Sequence, residues 1–241
     1  MELHIFKTPG ETIKGLADFF VTVVNDSINK NGKCNVVLSG GSSPKKLYEL
    51  LASPFYKSQV DWQKIWFFFG DERYVPFNDS DNNGLMVKES LFDPLRIKES
   101  KIFYIDTTLS PQDTANDYEK KIRTHFGEHP IHFDLTLLGL GENAHTASLF
   151  PYTPVIHEKK LLVSAPYIDE INAYRITMTP PAINNSHNIA FLIYGGNKAS
   201  SVYDILKAPK DIDRYPAQVI DSKEGTTHWF LDNAAASMLD K

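Results

Sequence analysis

The chain is predicted to fold as an α/β protein: a doubly wound, mainly parallel sheet with helices on both faces. Three observations predict it. Short apolar runs alternate with segments of helical period along the whole length. The runs end in glycine-bearing loops, Ser39-Gly40-Gly41-Ser42-Ser43, Gly70-Asp71-Glu72-Arg73, Gly139-Leu140-Gly141 and Gly195-Gly196. The composition, 42% apolar and 12% aromatic over 241 residues, is sufficient for a substantial core. With no internal repeat, low-complexity linker or domain break, residues 1–241 are expected to form one domain.

The elements follow in order. His4–Phe6 is a short first strand. Glu11 to Asn29 places Ile13, Leu16, Ala17, Phe20, Val23, Val24 and Ile28 at helical spacing. Asn35–Leu38 is a second strand, and Pro44 suits the first turn of the helix that continues from Lys45 to Leu51. Ile65–Phe69 is a third strand, followed by a helix over Asn82–Leu91 and a short strand over Lys101–Tyr104. Pro111 opens a helix running to Phe126. The unbroken apolar run Phe133–Leu138 reads as a strand buried on both faces. Lys160–Ala165 and Tyr174–Thr179 are β-rich, and Asn188–Tyr194 is a further apolar strand. Lys198–Leu206 is a helix, Ala208–Pro216 a loop, His228–Leu231 a strand and Asp232–Met238 a final helix.

Composition excludes several function classes. A formal net charge of −5 argues against a general nucleic-acid binder but leaves room for a local cationic site. The one cysteine, Cys34, excludes an internal disulfide framework and a multi-cysteine zinc site, and reads as a small hydrophobe opening a strand. The start MELHIFKTPGE lacks the pattern of a signal peptide, and no apolar run approaches the ~20 residues needed to cross a bilayer. The expectation is a cytoplasmic protein without a membrane or nucleic-acid partner.

Four blocks carry possible chemistry. In Val37–Leu47, Gly40 and Gly41 permit close backbone approach, Ser42 and Ser43 add hydroxyl donors, and a helix start attracts anions. The block suits a phosphate, though a plain glycine turn with a serine cap explains it equally well, and it is neither a Walker A loop nor a dinucleotide fingerprint. In Trp66–Pro76 a strand delivers Asp71, Glu72 and Arg73 together, with the guanidinium fork suited to phosphate or carboxylate. Asn82 and Asn83 downstream add polar ligands or cap the next helix. In Phe133–Pro151 the strand and its glycine turn place His145, a group able to exchange a proton near neutral pH, at the carboxyl end where open α/β sheets bind ligands. No cysteine, histidine or acidic cluster shows metal-ligand spacing, and Ser148 lies in no nucleophile elbow. In the fourth block, Arg175 and Lys198 each place a cation beside a strand end or helix start.

The strings LSGGSSP, FGDERYVP with Asn83 downstream, LLGLGENAHTASLFP, RITMTPPAIN and GGNKA, together spanning about residues 36 to 199, resemble the 6-phosphogluconolactonase family in order and spacing. HTASLFP is specific; the other strings are shared more loosely with relatives on the same fold. The resemblance implies a Rossmann-like domain of the type also used by glucosamine-6-phosphate deaminase and ribose-5-phosphate isomerase. It implies hydrolysis of 6-phospho-D-glucono-1,5-lactone in the oxidative pentose phosphate pathway, without metal or organic cofactor; the sequence leaves open a monomer or a small homo-oligomer. Carried over, His145 becomes the proton-transfer group. Arg73, Arg175 and Lys198 become ligands of the phosphate or the reacting carboxyl, with Asp71 and Asn83 beside them. Gly40, Gly41, Ser42 and Ser43 become the loop near the sugar phosphate.

Two departures stand out. The family pattern reads G-x-D-G-H, whereas this chain has Glu142-Asn143-Ala144-His145, so Asn143 takes the place of the aspartate that orients the histidine. Tyr152 replaces the glycine usual after the proline. An asparagine accepts a hydrogen bond from an imidazole but cannot stabilise an imidazolium as a carboxylate does. The alternatives are a deaminase-like isomerase, which would place a second carboxylate where Leu149 and Phe150 stand, and a sugar-phosphate sensor of impaired catalysis.

Overall fold

The computed structural model describes residues 1–239, so the last two residues of the expected domain lie outside the described residues. The strands, in chain order, are β1 (Glu2–Phe6), β2 (Cys34–Leu38), β3 (Ile65–Phe69), β4 (Asp71–Arg73), β5 (Phe133–Leu138), β6 (Val163–Ser164), β7 (Tyr167–Ile168), β8 (Ala173–Met178), β9 (Ser186–Ile193) and β10 (Thr226–Asp232). Six of them form one sheet in the order β1-β10-β9-β5-β2-β3, with every pairing parallel. From β2 the chain goes on to β3 on one side, and from β5 to β9 on the other. The winding therefore reverses between β2 and β5, which is where doubly wound sheets bind ligands.

The strands form where apolar side chains fill both faces. β2 and β5 are buried from end to end. In β3 successive rings go to opposite faces, as the pleat demands. Phe68 packs on Phe103, Phe126 and Phe133, whereas Phe67 and Phe69 pack on Phe92. The helix Pro9–Asn31 starts with a Thr8/Glu11 capping box and ends at Gly32, whose φ is 73°. All seven apolar positions selected by its periodicity are buried.

A second, antiparallel sheet, β4-β8-β6 with β7 on β8, is the main feature the sequence did not announce. β4 leaves β3 after a single residue, Gly70, and pairs Asp71 with Thr177, Glu72 with Ile176 and Arg73 with Arg175.

Four expected elements differ. The helix over Asn82–Leu91 is a short α-helix, Asn83–Val87, that opens into a π-turn over Lys88–Phe92 before a last turn at Asp93–Leu95. Pro94 lacks the N–H that would close the ladder onto Ser90, and the Ser90 hydroxyl returns to the Met86 carbonyl at 2.7 Å. Lys101–Tyr104 makes only one bridge, Ile102 to Phe67, after a 3₁₀ turn. In Lys160–Ala165 only Val163–Ser164 pairs, because the Glu158 carboxylate takes the N–H groups of Lys159, Lys160 and Leu161. Asp232 ends β10 instead of starting a helix. Its Oδ1 accepts from the N–H groups of Gly195 (3.0 Å) and Ala235 (2.8 Å), and turns follow.

Candidate active site

Loops leaving the carboxyl ends of β2, β3, β5 and β9 enclose a cleft of about 460 Å³ beside the winding reversal. Gly40, Gly41, Ser42, Ser43, Asp71, Arg73, Asn83, His145, Arg175 and Lys198 all line it. Of the residues singled out from sequence, Glu72, Asn82 and Asn143 do not; Asn143 stands behind His145, on the wall of a second cavity of about 620 Å³.

The Ser39–Ser43 loop is held from beneath. The buried Tyr48 hydroxyl accepts from the Ser39 N–H (3.0 Å) and donates to the Ser39 carbonyl (2.7 Å). Gly41 takes φ 102°, a conformation side chains resist, and starts the helix Ser42–Leu51. No side chain caps that helix, so the N–H groups of its first turn remain available to an anion at the cleft wall. Gly40 lies against the Asn83 amide, where a Cβ would overlap it.

The acidic-basic triplet after β3 divides its labour. Glu72 turns away from the cleft and accepts from the backbone N–H groups of Arg73 (2.7 Å), Asn83 (2.7 Å) and Gly84 (2.8 Å), so it anchors the loop. Burial pushes its pKa up to about 7, against the pull of those three donors. Asp71 is buried and accepts from the Ser148 hydroxyl at 2.7 Å. Burial raises its pKa, and the Ser148 bond with the Arg73 and Arg175 charges draws it back. Asn82 caps the next helix through the Leu85 N–H, while Asn83 faces the cleft and donates to the Asp71 carbonyl.

Arg73 and Arg175 are direct cross-strand partners in β4 and β8. Like charges so placed are destabilising. Burial and the Arg73 charge together lower the pKa of Arg175. The pair, with Lys198 on the same cleft, makes a site that an anion would relieve.

His145 is half-buried in the turn after β5. The Gly141 N–H donates to its carbonyl (2.8 Å), the Thr146 hydroxyl donates to the Gly139 carbonyl (2.9 Å), and the Phe150 ring stacks on the imidazole at 4.1 Å. Gly141 passes so close that a Cβ there would overlap the imidazole. Nδ1 lies 2.5 Å from Asn143 Oδ1. An amide oxygen only accepts, so Nδ1 carries the hydrogen and Nε2 keeps its lone pair. The Asn143 amide is oriented in turn by Glu170, whose carboxylate accepts from Nδ2 at 3.1 and 3.3 Å. Burial, then the Lys198 and Arg175 charges, lower the His145 pKa to about 4, so the ring is neutral at pH 7.

Sequence reasoning missed Glu170, the Ser148–Asp71 bond and the Phe150 stack. The first two are side-chain contacts across 27 and 77 residues, without local signal. Phe150 stands in the HTASLFP string, where the sequence shows only that it fills the place of an isomerase's second carboxylate. Glu142 does not replace the missing aspartate, since its carboxylate accepts from Asn197 Nδ2 at 2.6 Å. Away from the cleft, Glu2, His4 and His228 bring three ligand atoms together where β1 meets β10. The buried His228 Nε2 there has no acceptor, whereas a metal-bound imidazole normally donates its other N–H, so the donor set fits a metal poorly.

The family described as glucosamine-6-phosphate isomerases/6-phosphogluconolactonase matches residues 7–229. The 6-phosphogluconolactonase of Synechocystis is 36% identical over 222 residues, 90% of each chain. That of Haemophilus influenzae is 34% identical, covering 87% of this chain and 89% of its own. Among solved structures, the 6-phosphogluconolactonase of Thermotoga maritima superposes with a TM-score of 0.84 at 29% identity, over 96% of this chain and 99% of its own. That of Trypanosoma brucei reaches 0.86 at 28% identity, over 99% and 98%. A monomeric glucosamine-6-phosphate deaminase, 20% identical with a TM-score of 0.82, shares the fold. The chain thus belongs to the glucosamine-6-phosphate isomerase/6-phosphogluconolactonase family.

Proposed function

We propose that this protein hydrolyses 6-phospho-D-glucono-1,5-lactone to 6-phospho-D-gluconate, a step of the oxidative pentose phosphate pathway, with His145 as general base and then general acid. The observation that carries the reading is a neutral imidazole sharing one cleft with Arg73, Arg175 and Lys198. An anionic ester fits both halves of that arrangement.

The phosphate binds at the uncapped start of the Ser42–Leu51 helix, with the Ser42 and Ser43 hydroxyls and a nearby cation. The lactone carbonyl then lies toward His145. Nε2 takes a proton from water as the water oxygen bonds to the carbonyl carbon. The arginine pair stabilises the oxyanion of the tetrahedral intermediate. The bond from carbon to ring oxygen breaks, and Nε2 returns the proton to that oxygen. The acid so formed ionises and releases the proton that an assay reads. Bound phosphate also offsets the cations that depress the imidazole pKa, which brings the ring toward the range of an effective acid–base catalyst.

The chain's own residues favour hydrolysis over isomerisation. The position flanking the imidazole carries the Phe150 ring, not a second carboxylate. No helix among the described residues is long and apolar enough to cross a membrane. A cytoplasmic location is part of the same reading.

Proton release from freshly prepared lactone, measured against the spontaneous rate, tests the proposal. His145→Ala should lower turnover roughly 10²- to 10⁴-fold with the thermal melt unchanged. Near-normal turnover in that variant would sink the assignment.

A further inference from the structure

We propose that Glu170 supplies the carboxylate behind His145, acting on the imidazole through the amide of Asn143 as a positioning residue. The inference rests on His145 being the base.

A base histidine generally has an acceptor that fixes its tautomer. Here the residue in that place, Asn143, is itself ambiguous, because an amide presents an acceptor at one end and two donors at the other. With Oδ1 toward the ring, Nδ1 carries the hydrogen and Nε2 is free to take a proton. With Nδ2 toward the ring, Nδ1 must accept, the hydrogen moves to Nε2, and the ring can no longer act as a base toward the cleft. Something must choose. The ionised Glu170 carboxylate only accepts, and it takes Nδ2 with both oxygens, at 3.1 and 3.3 Å. The His145 backbone N–H adds a weaker hold on Oδ1 at 3.3 Å.

Two other acids near the base are already committed. Glu142 is bonded to Asn197, and Asp71 to Ser148. Glu170, by contrast, is placed by the same small sheet that positions Arg175. β7 pairs with β8, and the turn Asp169–Ile171 follows it directly. Asn172 closes that turn with φ 49°, its side-chain oxygen accepting from the Tyr167 hydroxyl. One element thus presents a cation to the cleft and a carboxylate to the back of the base. Relaying through a neutral amide has a distinct consequence. It orients the imidazole without setting a full negative charge against it.

The test combines kinetics with side-chain ¹⁵N NMR of His145. Glu170→Ala should lower kcat about tenfold, with KM within about twofold and the melt unchanged, since outer partners of this kind act through orientation. The spectrum of Glu170→Ala should show an Nε2–H population absent from the parent. Introducing Asn143→Asp into Glu170→Ala should restore kcat to that of Asn143→Asp alone, because the aspartate then holds Nδ1–H directly. Unchanged kcat and tautomer in Glu170→Ala would overturn the proposal. So would an undiminished effect of Glu170→Ala in the Asn143→Asp background. If His145→Ala turns over normally, the functional reading fails, while the tautomer readout still decides what Glu170 does.

Discussion

The loops after β2 and β5, neighbours in the sheet, solve opposite problems. The Ser39–Ser43 loop offers backbone to a ligand. Its left-handed residue is a glycine, Gly41, and one tyrosine beneath it supplies the support. The Gly139–Ser148 loop presents a side chain. Both of its left-handed residues are alanines, Ala144 at φ 63° and Ala147 at φ 46°. Contacts from far along the chain hold it. The Ser201 hydroxyl donates to the Glu142 carbonyl (2.6 Å), the Ala217 N–H to the Ala144 carbonyl (3.1 Å), and Asn143 bonds to Glu170. Receiving an anion is a local matter of free N–H groups. Aiming a base requires fixing a ring from several directions, and in this protein distant residues do it.

The comparison is tested most severely by adding one methyl to each loop. In Gly141→Ala the new Cβ overlaps the imidazole, so kcat should fall at least about 100-fold, the scale of a misplaced catalytic group. In Gly40→Ala the Cβ meets the Asn83 amide, so the loss should appear chiefly as a raised KM. Steady-state kinetics on fresh lactone would separate the two. Equal loss of kcat in both variants would abolish the division of roles.

The coupling between the loops gives a smaller effect, with a definite sign. The His145 pKa is about 4 in the free protein because of burial, then Lys198 and Arg175. Filling the anion site with 6-phosphogluconate offsets those cations, which favours imidazolium, so an NMR titration should show the His145 pKa rise toward 6.5. Lys198→Ala should raise it part of the way. The same depression has a stability consequence. The folded pKa lies below the unfolded one, so stability is lost as pH falls from about 6.5 through about 4. His145→Gln should flatten that part of the curve in denaturant titrations.

The legible parts of the molecule were the local ones. Continuous apolar runs gave β2, β3 and β5, and helical spacing gave the buried face of Pro9–Asn31. The glycine turns marked the cleft, and the residues singled out from sequence gather around it save Glu72 and Asn82, which brace the neighbouring loop, and Asn143, which stands behind the base. Hidden parts depended on pairings that leave no local trace. Three residues, Asp71 to Arg73, have too short a pattern to announce a strand, yet β4 is what sets Arg73 opposite Arg175. Glu170 sits in an ordinary polar turn, and only the fold carries it to Asn143. Asp232 looked like a helix start because aspartates commonly cap helices, but its carboxylate joins β10 to the Gly195 turn instead.

Ala144 and Tyr152 both lie on left-handed backbone, with φ 63° and 60°. Relieving either should be the smallest effect, and the two should differ. An L-residue in this conformation costs roughly 1–2 kcal/mol relative to glycine. Glycine returns about 0.4–1 kcal/mol of that through the entropy of its unfolded chain. Tyr152 is 73% exposed, so Tyr152→Gly gives up little packing and should gain about 0.8 kcal/mol, near 2–3 °C in Tm for a chain of this size. Ala144 is 2% exposed, and its methyl gives up about 0.8 kcal/mol of burial when removed. Ala144→Gly should therefore leave Tm unchanged, the packed methyl offsetting the strain. A gain at 144 equal to that at 152 would mean the methyl contributes nothing to the loop. A loss at 152 would mean the tyrosine ring, on the wall of the cavity behind His145, helps to hold the base.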